Sequence, residues 1–226
     1  MLSLRHPYIS VHHEGRNTYG GGQQHSSNQT VSKYGCGVIA ATDTLLYLCR
    51  NHMGTLPPPF RMLDTAGSLP SPLYDDCILE MRRSFLPLIP YAGMNGLMLM
   101  SGVNRFFQKY HMPYTSRWRF SRFGMWEKIE EMLLDDIPVI MSVGPNFPFF
   151  WGKERASFYT RTPTGAYLPA SGARAHYFTV TGLDENWLRI SSWGRLYYLN
   201  RAEFDQYVNR YSAGFISNIL YIERKK

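Results

Sequence analysis

The apolar positions change period part-way along the chain. Between Cys36 and Arg50, the residues Val38, Ile39, Thr42, Leu45, Leu46 and Cys49 recur at helical spacing, which predicts a helix beginning at or near Cys36. Asp75 to Phe85 predicts a second helix. Leu97 to Tyr110 predicts a third, behind a Gly93-Met94-Asn95-Gly96 turn in which Asn95 is a cap. From Pro113 onward strands enter. Tyr114 to Phe120 alternates, and Ile137-Pro138-Val139-Ile140-Met141-Ser142-Val143 is an apolar run with Pro near its start, a position a strand tolerates. Between them Met125 to Leu134 is amphipathic, with Trp126, Ile129, Met132 and Leu133 on one side. His176 to Gly182 and Trp187 to Ser192 flank the turn Asp184-Glu185-Asn186, which predicts a hairpin. A strand over Leu196 to Leu199, a helix over Arg201 to Tyr211 and a strand over Ile216 to Ile222 close the chain.

The remaining stretches carry turn chemistry. Residues 1–35 are polar and Gly/Ser/Asn/Gln-rich, with Gly20-Gly21-Gly22-Gln23-Gln24 and Ser26-Ser27-Asn28-Gln29 reading as loop. Gly54 to Pro72 is Pro-rich and also reads as loop. Residues 144–175 form a long Pro-punctuated excursion carrying Phe147, Phe149, Phe150, Trp151 and Tyr159; its place ahead of His176 suggests a lid or one wall of a cleft, or an insertion packing its own aromatics. Helices first and sheet second imply an α+β fold with a mainly antiparallel sheet. The expected organisation is a single domain over 1–226: a polar segment at 1–35, a helical part at 36–112 and a sheet part at 113–226.

Composition narrows the class. The 226 residues are 44% hydrophobic and 15% aromatic, which excludes a disordered chain. No run of about 18 uncharged apolar residues is present, so no membrane span is expected, and with no apolar signal core after Met1 the default expectation is a cytoplasmic protein. Three cysteines do not make a disulfide scaffold. The net charge of +7 admits a nucleic-acid partner, but the basic residues are scattered. Their densest stretch, Arg117-Trp118-Arg119-Phe120-Ser121-Arg122-Phe123, reads as an edge strand with Trp118 and Phe120 inward and the arginines in water, so no nucleic-acid partner is expected. His12, His13 and His25 lack a Cys or carboxylate cluster at ligand spacing, so neither a metal nor another cofactor is expected.

Two residues carry candidate chemistry. Cys36 stands at a helix start between Gly35 and Gly37. A helix N-terminus favours thiolate over thiol, and the flanking glycines allow close approach of a substrate backbone. His176 opens an apolar strand directly after the excursion. Hairpin pairing brings Ser191-Ser192-Trp193-Gly194 back beside it, where a side chain would hold the imidazole through its second nitrogen and Trp193 would shield that bond.

Gly35-Cys36-Gly37, Leu134-Asp135-Asp136-Ile137-Pro138-Val139-Ile140, His176-Tyr177-Phe178-Thr179-Val180-Thr181-Gly182, Ser191-Ser192-Trp193-Gly194 and Arg201-Ala202-Glu203-Phe204, in this order, resemble the papain-like cysteine peptidases. The closest branch looks like that of the double-glycine leader, or bacteriocin-processing, peptidases. The resemblance spans roughly residues 23–210 and implies a papain-like fold, with the Cys-bearing helix packed on the C-terminal sheet. It implies Cys36 as a thiolate nucleophile paired with His176, Ser191 where papain-like enzymes carry Asn, and Gln29 as oxyanion donor with Asn28 in reserve. It also places Gly35 and Trp193 beside the substrate. The family's Gln lies six residues before the Cys, where this chain has Thr30, so Gln29 requires a one-residue bulge. The implied activity is hydrolysis of a peptide or amide bond in a peptide or protein substrate through an acyl-enzyme. The alternatives are acyl transfer at the same Cys-His site, and a catalytically weak papain-like domain that binds a peptide or protein.

Overall fold

A computed structural model describes residues 1–63 and 67–225. In chain order its elements are β1 (Leu2–Ser3), β2 (Val11–His13), β3 (Arg16–Asn17), α1 (Gln29–Tyr34), α2 (Cys36–Leu48), β4 (Leu69–Pro70), α3 (Ser71–Ser84), α4 (Gly96–Lys109), β5 (Tyr114–Trp118), α5 (Met125–Leu134), β6 (Val139–Val143), β7 (Ala156–Arg161), β8 (Tyr167–Ala173), β9 (His176–Leu183), β10 (Trp187–Ser192), β11 (Arg195–Asn200), α6 (Arg201–Tyr211) and β12 (Ile219–Arg224). The fold is α+β. A nine-stranded sheet runs β5-β12-β6-β9-β10-β11-β7-β8, with β1 pairing the far end of β9, and its pairings are antiparallel.

α2 is the central helix. One apolar stripe is expected from its sequence, yet every residue from Gly37 to Leu48 is buried. A helix apolar all round is covered all round: α2 packs on the sheet through β9 and β6 and against α3 and α4 on its other sides. Gly37 lets α2 approach closely, since a Cβ there would stand 3.2 Å from the Tyr177 ring on β9. The charged residue in this helix, Asp43, is 1% exposed.

Helices α4, α5 and α6 begin and end near where caps and apolar periodicity put them, while α3 begins at Ser71, four residues ahead of the expected Asp75. Asn95 accepts from Met98 N–H at 2.9 Å at the head of α4, and Asn200 accepts from Glu203 N–H at 3.1 Å at the head of α6. The β9–β10 hairpin turns where Asp184 Oδ1 accepts from the N–H groups of Asn186 and Trp187.

Three expectations are corrected. The polar N-terminal segment is not merely loop: it supplies β1, the β2–β3 hairpin, a 3-10 turn at Gln23–His25 and α1, whose cap Asn28 accepts from the Thr30 and Val31 N–H groups. The 144–175 excursion is largely the β7–β8 hairpin, which extends the sheet; β8 carries Pro169 because it is an edge strand, where a missing N–H costs no ladder bond. Phe120 is 62% exposed rather than inward, because edge strand β5 ends at Trp118. Of the loop expected over Gly54 to Pro72, residues 64–66 lie outside the described residues; the remainder holds a 3-10 turn at Pro58–Leu63, β4 and the first two residues of α3. Among the described residues no helix is long and apolar enough to cross a membrane.

Candidate active site

Cys36 opens α2, and His176 opens β9. The close packing of α2 on β9 brings them together, and both line one small cavity beside Gln23, Asp43 and Ser192. Cys36 is half-buried. The backbone N–H groups of Tyr177, Gly37 and Cys36 itself lie near its sulfur. These donors favour thiolate, but burial outweighs them and pushes the thiol up from its ordinary value. His176 is buried as well, and loss of water pulls its imidazole down to about 3. Burial thus favours neutral thiol and neutral imidazole. Desolvation penalises both ions of the thiolate–imidazolium pair expected at the helix N-terminus.

The imidazole is fixed from two sides. Ser192 Oγ lies 2.7 Å from His176 Nε2, and the Trp193 ring stacks on the imidazole with centroids 4.3 Å apart and planes 21° from parallel. Behind them Phe158, fully buried, touches the rings of His176, Phe178 and Trp193, so the 144–175 excursion supplies a back wall to the site.

Ser191, expected to hold His176, points elsewhere and donates to the Tyr19 carbonyl at 2.8 Å. The cause is a bulge in β9. Counted from the turn, Leu188 pairs Leu183 and Arg189 pairs Gly182, but Ile190 then pairs Val180, skipping Thr181. Without the skip, Ser191 would fall opposite Val180, on the face His176 shares with Phe178. With it, Ser191 pairs Thr179 on the face toward α2, and Ser192 moves to the imidazole's face.

Gln29 is not at the site. It is exposed as the first residue of α1, and Asn28 is engaged in capping that helix. Gln23 stands by Cys36 instead. Its Nε2 donates one hydrogen to the Ser32 carbonyl at 3.0 Å, and its buried Oε1 has no protein partner. α1, inserted between this loop and Cys36, lengthens the spacing that the family resemblance set at six. The sequence signal for Gln23 was the triglycine before it, which carries the chain into the site without side chains. Gly35 is buried at the junction of α1 and α2, its N–H on the Val31 carbonyl.

The cavity holds about 10 Å³, room for at most one water. Next to Gln23, Gln24 Nε2 donates to the carbonyl of Trp193, a lining residue, at 3.0 Å. Cys49 and Cys77 are buried free thiols, pushed up by desolvation, Cys49 to about 12. Among the described residues no cluster of three or more His, Cys, Asp or Glu side chains is arranged to hold a metal. The rings of His13 and His25 lie 3.9 Å apart, while His12 faces Asn17.

No protein-family model matches the chain, and no curated protein matches it. Among solved structures the chain is similar to the peptidase domain of Streptococcus ComA, described as a bifunctional ABC transporter involved in a quorum-sensing pathway. The match has 11% identity, covers 98% of this chain and 100% of that one, and has a TM-score of 0.42.

Proposed function

We propose that the chain is a thiol-dependent hydrolase of peptide or amide bonds. The observation that carries this reading is the convergence of Cys36 and His176 on one cavity, with the imidazole held by Ser192 and covered by Trp193. Because burial favours the neutral pair, His176 acts as a general base at the moment of attack. The tautomer that serves has Nε2–H donating to Ser192 Oγ, which leaves the other ring nitrogen free to take the Cys36 proton. The sulfur then bonds the carbonyl carbon as the C=O electron pair moves onto oxygen. The oxyanion is met by the Cys36 backbone N–H and by the second amide hydrogen of Gln23. Collapse breaks the C–N bond, the imidazolium protonates the leaving amine, and water releases the acyl group from the thioester. An amine in place of water gives acyl transfer from the same intermediate.

A second reading, a papain-like domain that binds a peptide without cleaving it, is favoured by the small volume of the cavity and by a hydroxyl rather than an amide or carboxylate on His176. A library of fluorogenic peptide amides decides between them. Amine release by the parent that is lost in both Cys36→Ala and His176→Ala supports the hydrolase. Release that persists in Cys36→Ala, or saturable binding with no release by the parent, overturns it.

A further inference from the structure

We propose that Asp43 is a positioning residue of this site: its buried carboxylate clamps the Gly20–Gly22 loop and through it sets both Gln23 and the Trp193–Gly194 turn around the reacting atoms. The inference rests on the hydrolase reading above and adds to it a residue outside the Cys–His–Ser set.

Asp43 follows Cys36 by seven residues, two helical turns, so the two share one face of α2 and line the same cavity. A carboxylate inside an otherwise apolar helix is costly unless its oxygens are engaged. Here both are. Oδ1 accepts from the Tyr74 hydroxyl at 2.6 Å, and Oδ2 accepts from the Gly21 N–H at 2.8 Å. The second bond holds backbone, not side chain. The loop passes so close that it must be glycine: a Cβ on Gly20 would strike Ser191 Oγ and stand 2.8 Å from Asp43 Oδ2, and a Cβ on Gly21 would strike the Tyr74 hydroxyl. Gly20 also has φ +75°, which other residues adopt only with strain.

The clamped loop reaches the reacting groups in two directions. Forward, the chain runs from Gly21 to Gln23 at the cavity and to Gln24, whose amide holds the Trp193 carbonyl. Sideways, Gly194 N–H donates to the Gly21 carbonyl and Tyr19 N–H to the Gly194 carbonyl, each at 2.9 Å. This ladder fixes the turn that stacks Trp193 on His176. Losing the Gly21 anchor therefore loosens the oxyanion donor and the imidazole cover together.

The titratable groups facing Asp43 are Tyr8 from the N-terminal segment, Tyr74 and Cys77 from α3, and, on the shared cavity, Cys36 and His176; burial holds the first three protonated and favours neutral imidazole, so no cation offsets the carboxylate. Burial raises Asp43 to about 6 against the two hydrogen bonds. Below that value the protonated acid has one acceptor fewer for the loop and the hydroxyl.

Two thiol probes separate positioning from general damage. Iodoacetamide alkylates the sulfur by displacing iodide, with no oxyanion. p-Nitrophenyl acetate acylates it through a tetrahedral oxyanion, the C–S bond forming and p-nitrophenolate leaving. The ratio of the two rates at Cys36, with Cys36→Ala as blank, reports support of the oxyanion and cancels changes in thiol ionisation. Asp43→Ala is expected to lower the ratio about tenfold or more, toward the effect of losing an oxyanion donor. Gln23→Ala should do the same, and the double variant should be no worse than the larger single loss. In the parent the ratio falls as pH drops through about 6. Asp43→Asn keeps an oxygen for Gly21 N–H and an NH₂ for the Tyr74 oxygen, so it restores the ratio and removes its pH dependence. A folded Asp43→Ala with an unchanged ratio, or an Asp43→Asn ratio that falls with pH as the parent's does, overturns the inference. If Asp43→Ala does not fold, the Asp43→Asn profile decides. A parent alkylated at Cys36 yet never acylated overturns the hydrolase reading itself, and the inference with it.

Discussion

The Ser192 hydroxyl lies 2.7 Å from Nε2 of His176, while its neighbour Ser191 turns to the opposite face of β10 and donates to the Tyr19 carbonyl. One skipped residue in β9 decides which of two adjacent serines orients the imidazole.

Ser192→Ala and Ser191→Ala are therefore expected to separate. The first leaves the ring without its partner and should slow acylation of Cys36 by p-nitrophenyl acetate about tenfold or more, a fraction of what general acid–base work contributes, with little change in unfolding midpoint. The second removes a buried bond to backbone and should cost about 1 kcal/mol in urea unfolding. A larger rate loss in Ser191→Ala than in Ser192→Ala would return the orienting role to Ser191.

The sequence was legible where one local rule governs. α5, β10 and α6 begin and end as periodicity and caps place them. The helix start at Cys36 and the strand start at His176 follow from the same rules. What was not legible depends on residues distant in the chain. The bulge at Thr181 cannot be counted from β10 alone, yet it moves the orienting hydroxyl by one position. Gln23 rather than Gln29 lines the cavity, with α1 lying between it and Cys36, and the cap of α1, Asn28, sits in a stretch of polar residues that also fits a loop. The β7–β8 hairpin was masked by Pro169, which an edge strand tolerates. The neutral state of the Cys–His pair was hidden because a helix N-terminus is visible in sequence, whereas burial is not.

Alkylation of Cys36 should follow that neutral state. With the thiol raised and His176 lowered, iodoacetamide labelling is expected to rise only above the ordinary thiol value of about 8.5. His176→Ala should leave the profile in place. Labelling that is already complete near pH 6 and lost in His176→Ala would show that an open form holding the ion pair is populated.

Asp136 forms a second buried carboxylate cluster, separate from the chemistry. It sits at φ +62° after α5 and accepts from Tyr47 Oη at 2.7 Å and Arg5 N–H at 2.6 Å; His6 Nδ1 stands 2.6 Å away and His52 Nε2 3.3 Å away. Tyr47 is eleven residues beyond Cys36 on α2, about 16 Å along the axis. Burial raises this carboxyl, but the bonds from Tyr47, Arg5 and His6 outweigh it and hold the group below its ordinary value. Its stabilising contribution is present above the unfolded value of about 3.9 and is lost as pH falls through the lower folded one. Asp136→Ala should cost about 3 kcal/mol in denaturant unfolding, since it strands buried donors, while the acylation-to-alkylation ratio at Cys36 stays at the parent value. A change in that ratio would connect the two ends of α2.

The two titratable groups under the site act on stability with opposite sign. The His176 imidazole is lowered to about 3, against about 6.5 unfolded, so between these values the unfolded chain holds a proton the folded one lacks and stability falls on acidification. Asp43 is raised to about 6, against about 3.9 unfolded, so between those values the folded chain holds the extra proton and stability rises on acidification. From about pH 6 to pH 4 the contributions cancel, each being about 1.4 kcal/mol per pH unit. Removing one should expose the other. Relative to the parent, Asp43→Asn is expected to lose about 1.4 kcal/mol of unfolding free energy per unit on going from pH 6 to pH 4, and His176→Gln to gain as much, in urea titrations at fixed ionic strength. Parallel curves for all three proteins would mean that the cavity admits enough water to keep both groups near their ordinary values, and the neutral resting pair would fall with them.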